Sequence, residues 1–189
     1  YLASLLDFLG LQFITASLER LILYLNPTLV LLMSVLWLGV RVSARQAAAI
    51  ALSYVGVLIV FGQALRFEGA NVALGAALVF ASAASYAVYL VASGQVVKRL
   101  GALRLTGMAT SVACVFAIAQ LFVLREPSAV LVPVPVIWLS LANAIFTTFA
   151  PVLMVMMAIE RIGAPLAAQC GMVGPMSTIV LGVVLLGEP

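Results

Sequence analysis

Seven apolar runs, joined by short breaks rich in Gly, Pro and charge, dominate this chain: residues 1–14, 18–39, 46–63, 71–93, 103–124, 135–158 and 164–187. A helix needs about 20 mainly apolar residues to cross a bilayer, so six of the runs have roughly spanning length and the first is short. The breaks are Val40–Arg45, Gly62–Ala70, Gly94–Gly101, Arg125–Val134 and Glu160–Gly163, and none has room for a soluble domain. In hydrocarbon every backbone N–H and C=O must be satisfied within the protein. The pattern therefore predicts an all-α, polytopic membrane helix bundle in which successive helices alternate direction.

Composition weighs against the rival classes. The chain is 66% hydrophobic and 8% charged, with no histidine, whereas a soluble domain is about 25% charged. Its mean hydropathy is +1.29. The pI near 9.2 comes from scattered loop arginines, not a basic face, and points to no nucleic acid. Six carboxylates without histidine make no metal constellation, and no cofactor motif is present. Cys114 and Cys170 lie inside apolar runs and read as small, buried apolar residues. A membrane-embedded lipid-modifying enzyme, the less favoured alternative, would need a convergent nucleophile or metal set, and the absence of histidine with so few carboxylates argues against it. A retinal protein would need a lysine within a helix, but Lys98, the single lysine, falls in a predicted loop.

Two of the runs copy each other. At an offset of 148 residues, Phe13–Arg41 superposes on Arg161–Pro189, matching Ile14 with Ile162, Ala16 with Ala164, Pro27 with Pro175 and Gly39 with Gly187. Apolar matches are cheap in such sequence; a Pro and a Gly twelve residues apart in both copies are not. Proline within a helix removes a hydrogen bond and pushes away the carbonyl four residues earlier, here that of Leu23 or Gly171. Irregular backbone survives at membrane depth where it is buried in protein or lines a wet cavity. A broken helix present twice is thus a pointer to a transporter built from repeats.

Charge supplies an orientation. Arg41, Arg45, Lys98, Arg99, Arg104 and Arg161 fall in one set of alternating loops, and Arg20, Arg66 and Arg125 in the other, which places the first set in the cytoplasm. The two copies lie five helices apart, and an odd step inverts the second relative to the first. The expected plan is inverted five-helix repeats, with about seven of ten helices present: residues 1–66 the end of the first repeat, helices three to five, and 67–189 helices six to nine. The chain starts inside an apolar run and stops as a helix finishes, so it reads as a segment of a longer protein.

Polar groups within the runs nominate a substrate cavity. Asp7 is hard to place at a surface, and an ion pair with Arg20 on the next helix is geometrically open. Arg20 shares a face with Tyr24, Pro27 and Ser34, although Glu19 and Arg20 also fit an interfacial position with their charged ends turned to water. Ser82, Ser85, Tyr86 and Tyr89 form one stripe; Asn143, Thr147 and Pro151 form another; Gln169 and Ser177 bracket Pro175. The cavity candidates are Asp7, Arg20, Tyr24, Pro27, Tyr86, Asn143, Gln169 and Pro175.

The segments Leu6-Asp7-Phe8-Leu9-Gly10-Leu11, Ala16-Ser17-Leu18-Glu19-Arg20, Pro27-Thr28 and Leu186-Gly187-Glu188-Pro189 together resemble the EamA-type permeases of the drug/metabolite transporter superfamily. The resemblance spans essentially the whole chain. It implies two EamA repeats of a ten-helix permease in a bacterial inner membrane, in contact with membrane lipid and handling a small-molecule substrate (metabolite, amino acid or drug) by alternating access. Coupling stays open between a proton carried on Asp7, exchange and uniport, and a lipid-linked headgroup is an alternative cargo. One departure is plain: Gly187 precedes Glu188, but Gly39 precedes Val40, which favours a helix-end role for Glu188.

Overall fold

The computed structural model describes residues 1–61, 71–124 and 132–174, and these residues are helical with no strand among them. In chain order the helices are α1 Leu2–Gly10, α2 Ala16–Leu23, α3 Asn26–Leu38, α4 Ala44–Phe61, α5 Val72–Leu100, α6 Ala102–Leu124, α7 Val134–Asn143, α8 Ala150–Ile162 and α9 Ala164–Gly171; a π-helical turn, Ala144–Phe149, joins α7 to α8. Among the described residues four stretches have the length and apolarity to span a bilayer: Leu18–Leu38, Val72–Leu100, Ala102–Leu124 and Val134–Ile162. The fold class expected from the sequence, an all-α polytopic bundle, is the one observed.

Several boundaries differ from the sequence reading. The first run is helical over Leu2–Gly10 alone, and Thr15 then opens α2 by accepting from the backbone N–H of Leu18 at 3.3 Å. The expected loop at Gly94–Gly101 is instead the end of α5, which continues to Leu100. Lys98 and Arg99 lie in its last turn, where cations suit the negative end of the helix dipole, and the chain turns at Gly101, with φ 78°. The 135–158 run likewise extends to Ile162. At the start of α4, Ser43 and Gln46 make a reciprocal cap: Gln46 N–H donates to the Ser43 hydroxyl at 3.2 Å, and Ser43 N–H to the Gln46 side-chain oxygen at 3.1 Å.

The chain forms two compact units. One comprises Leu2–Val91 with Ala164 onward. Its core includes Leu18, Val30, Leu31, Val79, Ala83, Ala87 and Leu90. Here α1 and α5 run antiparallel, since Gly10 meets Gly75 while Ala3, seven residues back, meets Ser82, seven residues on. The crossing is close: a Cβ on Gly10 would lie 2.6 Å from Val79 Cγ2 and 2.9 Å from the Gly75 carbonyl, and one on Gly75 would lie 2.8 Å from Phe13 Cβ. Small residues at helix crossings substitute for the hydrophobic force that lipid does not supply. The Thr28 and Tyr54 hydroxyls share a hydrogen bond that ties α4 to α3.

The other unit comprises Ala92–Gly163 with Tyr1. In it α6 packs along α8, with Ala102 and Thr106 on one helix and Met156 and Ile159 on the other buried. The π turn has a local cause. Pro151 has no N–H, so the helix cannot bond back to Thr147, and Pro151 sits in the first turn of α8, where the missing donor costs nothing. The Thr147 hydroxyl lies 2.7 Å from both the backbone and the side-chain oxygen of Asn143, bracing the wide turn.

Candidate functional site: a polar cleft at the first helix break

The break foreseen at Pro27 is real. Helix α2 stops at Leu23, Leu25 N–H bonds to the Ile22 carbonyl at 3.0 Å in a tightened turn, and α3 starts at Asn26 with Pro27 in its first turn. Proline tolerates that position because the first helical N–H groups have no intrahelical partner. Among the described residues the second copy repeats the first part of the pattern, the helix end. Helix α9, Ala164–Gly171, is the image of α2, Ala16–Leu23, at an offset of 148 residues, and it too stops four residues before its proline. Met172 N–H then bonds to the Gln169 carbonyl at 3.1 Å. Pro175, Ser177, Gly187 and Glu188 lie outside the described residues. α9 packs against α3, whose buried positions Pro27, Val30, Leu31 and Ser34 form one face.

Beside the first break lies a cleft of about 230 Å³, lined by Ala3, Ser4 and Asp7 of α1, Leu23 and Asn26 at the break, and Ser82 and Tyr86 of α5. Its walls follow from the packing just described. The Gly10–Gly75 crossing fixes α1 against α5, and the Ser82 hydroxyl donates to the Ala3 carbonyl at 2.7 Å. Tyr86 stacks on Tyr89 with ring centroids 6.0 Å apart. Two of the lining residues each carry a side-chain oxygen, Asp7 Oδ1 and Asn26 Oδ1, that is buried without a hydrogen-bond partner. A buried acceptor left unsatisfied costs about 1–3 kcal/mol, more for a charged one, so two in one cleft mark it as a place built for a donor.

The sequence candidates divide. Asp7 and Tyr86 line the cleft, and Pro27 is buried next to the lining residue Asn26. Tyr24 is half-buried at the end of α2 and is not among the lining residues. Gln169 is half-buried on α9, and its Nε2 is buried without a hydrogen-bond partner. Asn143 is exposed and belongs to the other unit. Asp7 and Arg20 make no direct salt bridge: Arg20 Nε lies 3.8 Å from Glu19 Oε2 and acts on the Asp7 carboxylate at longer range. The two neighbours also differ in depth, since Glu19 is 7% exposed while the Arg20 side chain is 56% exposed, so a shared interfacial position is wrong for Glu19. Successive helix residues point about 100° apart, and Glu19 falls beside the buried Leu18. Asn26 was missed; its signal was its place immediately before the duplicated proline.

Comparison with known proteins agrees with this architecture. Residues 73–189 match the EamA-like transporter family. An uncharacterized transporter of Bacillus subtilis (strain 168), YcbK, is 32% identical over 199 aligned residues, covering 100% of this chain and 62% of the relative. The chain thus spans about three-fifths of the length of the curated relative it matches. No solved structure matches it significantly.

Proposed function

The chain belongs to the EamA-like transporter family, and from that premise we propose that the protein moves small organic solutes, such as metabolites, amino acids or drugs, across a bacterial plasma membrane by alternating access and without covalent chemistry. The cleft at the α2–α3 break is part of the substrate path. The observation that carries this reading is the coincidence, in one place, of a broken helix and two buried unpartnered acceptors, Asp7 Oδ1 and Asn26 Oδ1. Discontinuous helices are where secondary transporters of inverted-repeat design place their substrate sites. The matching ends of α2 and α9 support the same design: residues 1–66 and 67–189 belong to two inverted five-helix repeats, and either half adopts in turn the packing of the other.

A cysteine at Ser4, on the cleft wall, in a background lacking Cys114 and Cys170, tests the path. In the full-length protein a thiol reagent at this site should block solute flux in proteoliposomes, and solute should slow the labelling. Full flux after complete labelling would remove the cleft from the path.

A further inference from the structure

We infer that the cleft binds a primary ammonium group, RNH3⁺, with Asp7 and Asn26 as its acceptors. The inference rests on the reading that the cleft is part of the substrate path, and it names the chemistry of what enters. Asp7 is the charged residue among the described lining residues, which include no lysine or arginine; Arg20, whose side chain is mostly exposed, acts on the Asp7 carboxylate from outside the lining. An anion entering the cleft would face that carboxylate at close range. The positive end of α3 at Asn26, worth about half a charge, does not offset a full negative charge.

Hydrogen-bond inventory narrows the class. Ser82, a lining residue, spends its proton on the Ala3 carbonyl, which leaves its oxygen as an acceptor. With Asp7 Oδ1 and Asn26 Oδ1 this makes three acceptor atoms from three helices. A primary ammonium carries three donors and no acceptor, as the lysine head group does. A quaternary ammonium carries charge without donors and would leave Asn26 Oδ1 unsatisfied. Leu23 and Ala3 supply apolar wall for the first carbons of R. The cleft volume of about 230 Å³ is several times the ~30 Å³ of a water, enough for such a head.

The test uses the full-length protein in phosphatidylcholine nanodiscs and follows thermal unfolding with four probes of similar size: n-butylammonium, tetramethylammonium, butyrate and n-butanol. A ligand that binds only the folded state raises Tm with the logarithm of 1 + [L]/Kd, by roughly 5 °C at 100 times Kd. Butylammonium should stabilise most, and Asp7→Asn and Asn26→Leu should each weaken it about tenfold or more. Asn26→Asp should strengthen it. Should either loss variant fail to assemble, the probe ranking on the wild-type protein still decides.

Equal stabilisation by tetramethylammonium would overturn the donor argument, and stabilisation by butyrate alone, or by no probe, would overturn the assignment. Phosphatidylethanolamine presents the same ammonium on a lipid headgroup. Nanodiscs of that lipid should leave the butylammonium shift intact for a free amine, and should remove it if the headgroup is the occupant; both keep the ammonium assignment. If Ser4-directed block of transport holds while no amine binds, the transport path stands and this inference alone falls.

Discussion

At the residue scale, Asp7 and Arg20 look alike in the sequence and differ in the structure. Both are charges inside apolar runs, where charge is costly unless paired or functional. Asp7 has a buried, unpartnered oxygen in the cleft, whereas Arg20 is mostly exposed and rests on Glu19 at 3.8 Å. Exposed ion pairs are worth about 0–1 kcal/mol. Asp7→Asn should therefore lower transport about tenfold or more while folded protein in the membrane stays near the wild-type level. Arg20→Ala should lower it less than about fivefold. Flux per folded molecule, with protein quantified by size-exclusion chromatography, checks both, and a larger loss for Arg20→Ala would reverse their ranking. Charge within an apolar run was legible in the sequence; which of the adjacent Glu19 and Arg20 turns inward was not, because that depends on how α2 rotates against helices distant in sequence.

At the element scale, two features decide how the helices meet. The first is the glycine crossing of α1 and α5, where an added Cβ on Gly10 would stand 2.6 Å from Val79 Cγ2. Overpacking of this kind costs about 1–3 kcal/mol. Gly10→Ala should lower the Tm of the purified protein by several degrees, and Val79→Ala should restore part of the loss; an unchanged Tm in Gly10→Ala would show that the helices separate freely. The second feature is the break itself. Pro27→Ala restores an N–H that can bond the Leu23 carbonyl and fuse α2 with α3. Flux should fall while Tm holds or rises, and wild-type flux would make the break a packing kink.

The break was legible because proline acts through covalent chemistry wherever it sits, and its duplicate made it hard to dismiss. The glycine crossing was not: Gly10 and Gly75 are 65 residues apart, and a glycine in apolar sequence does not say which helix will approach it. The end of α5 was misplaced because Gly94, Lys98 and Arg99 read as loop punctuation. Gly94 is in fact a buried helical residue, and the two cations close the last turn.

At the scale of the whole molecule, orientation follows from charge. Arg41 and Arg45 flank the link between α3 and α4, and Lys98, Arg99 and Arg104 cluster around Gly101 between α5 and α6. Short loops rich in Lys and Arg stay in the cytoplasm. Arg66 and Arg125, in the alternate set, are expected outside on the same rule. A cysteine reporter on the first link belongs at Val42, which is 42% exposed, because Ser43 caps α4 and losing that cap costs about 1 kcal/mol. A second reporter belongs at Ser128, in the connection that carries Arg125. In intact cells, in a background without Cys114 and Cys170, a membrane-impermeant thiol reagent should label Ser128→Cys and spare Val42→Cys. After permeabilisation both should react. The reverse pattern in intact cells would invert the molecule. Labelling of both sites in intact cells would break the alternation of helices on which the inverted-repeat plan depends, because three crossings, by α4, α5 and α6, would put the two reporters on opposite sides of the membrane.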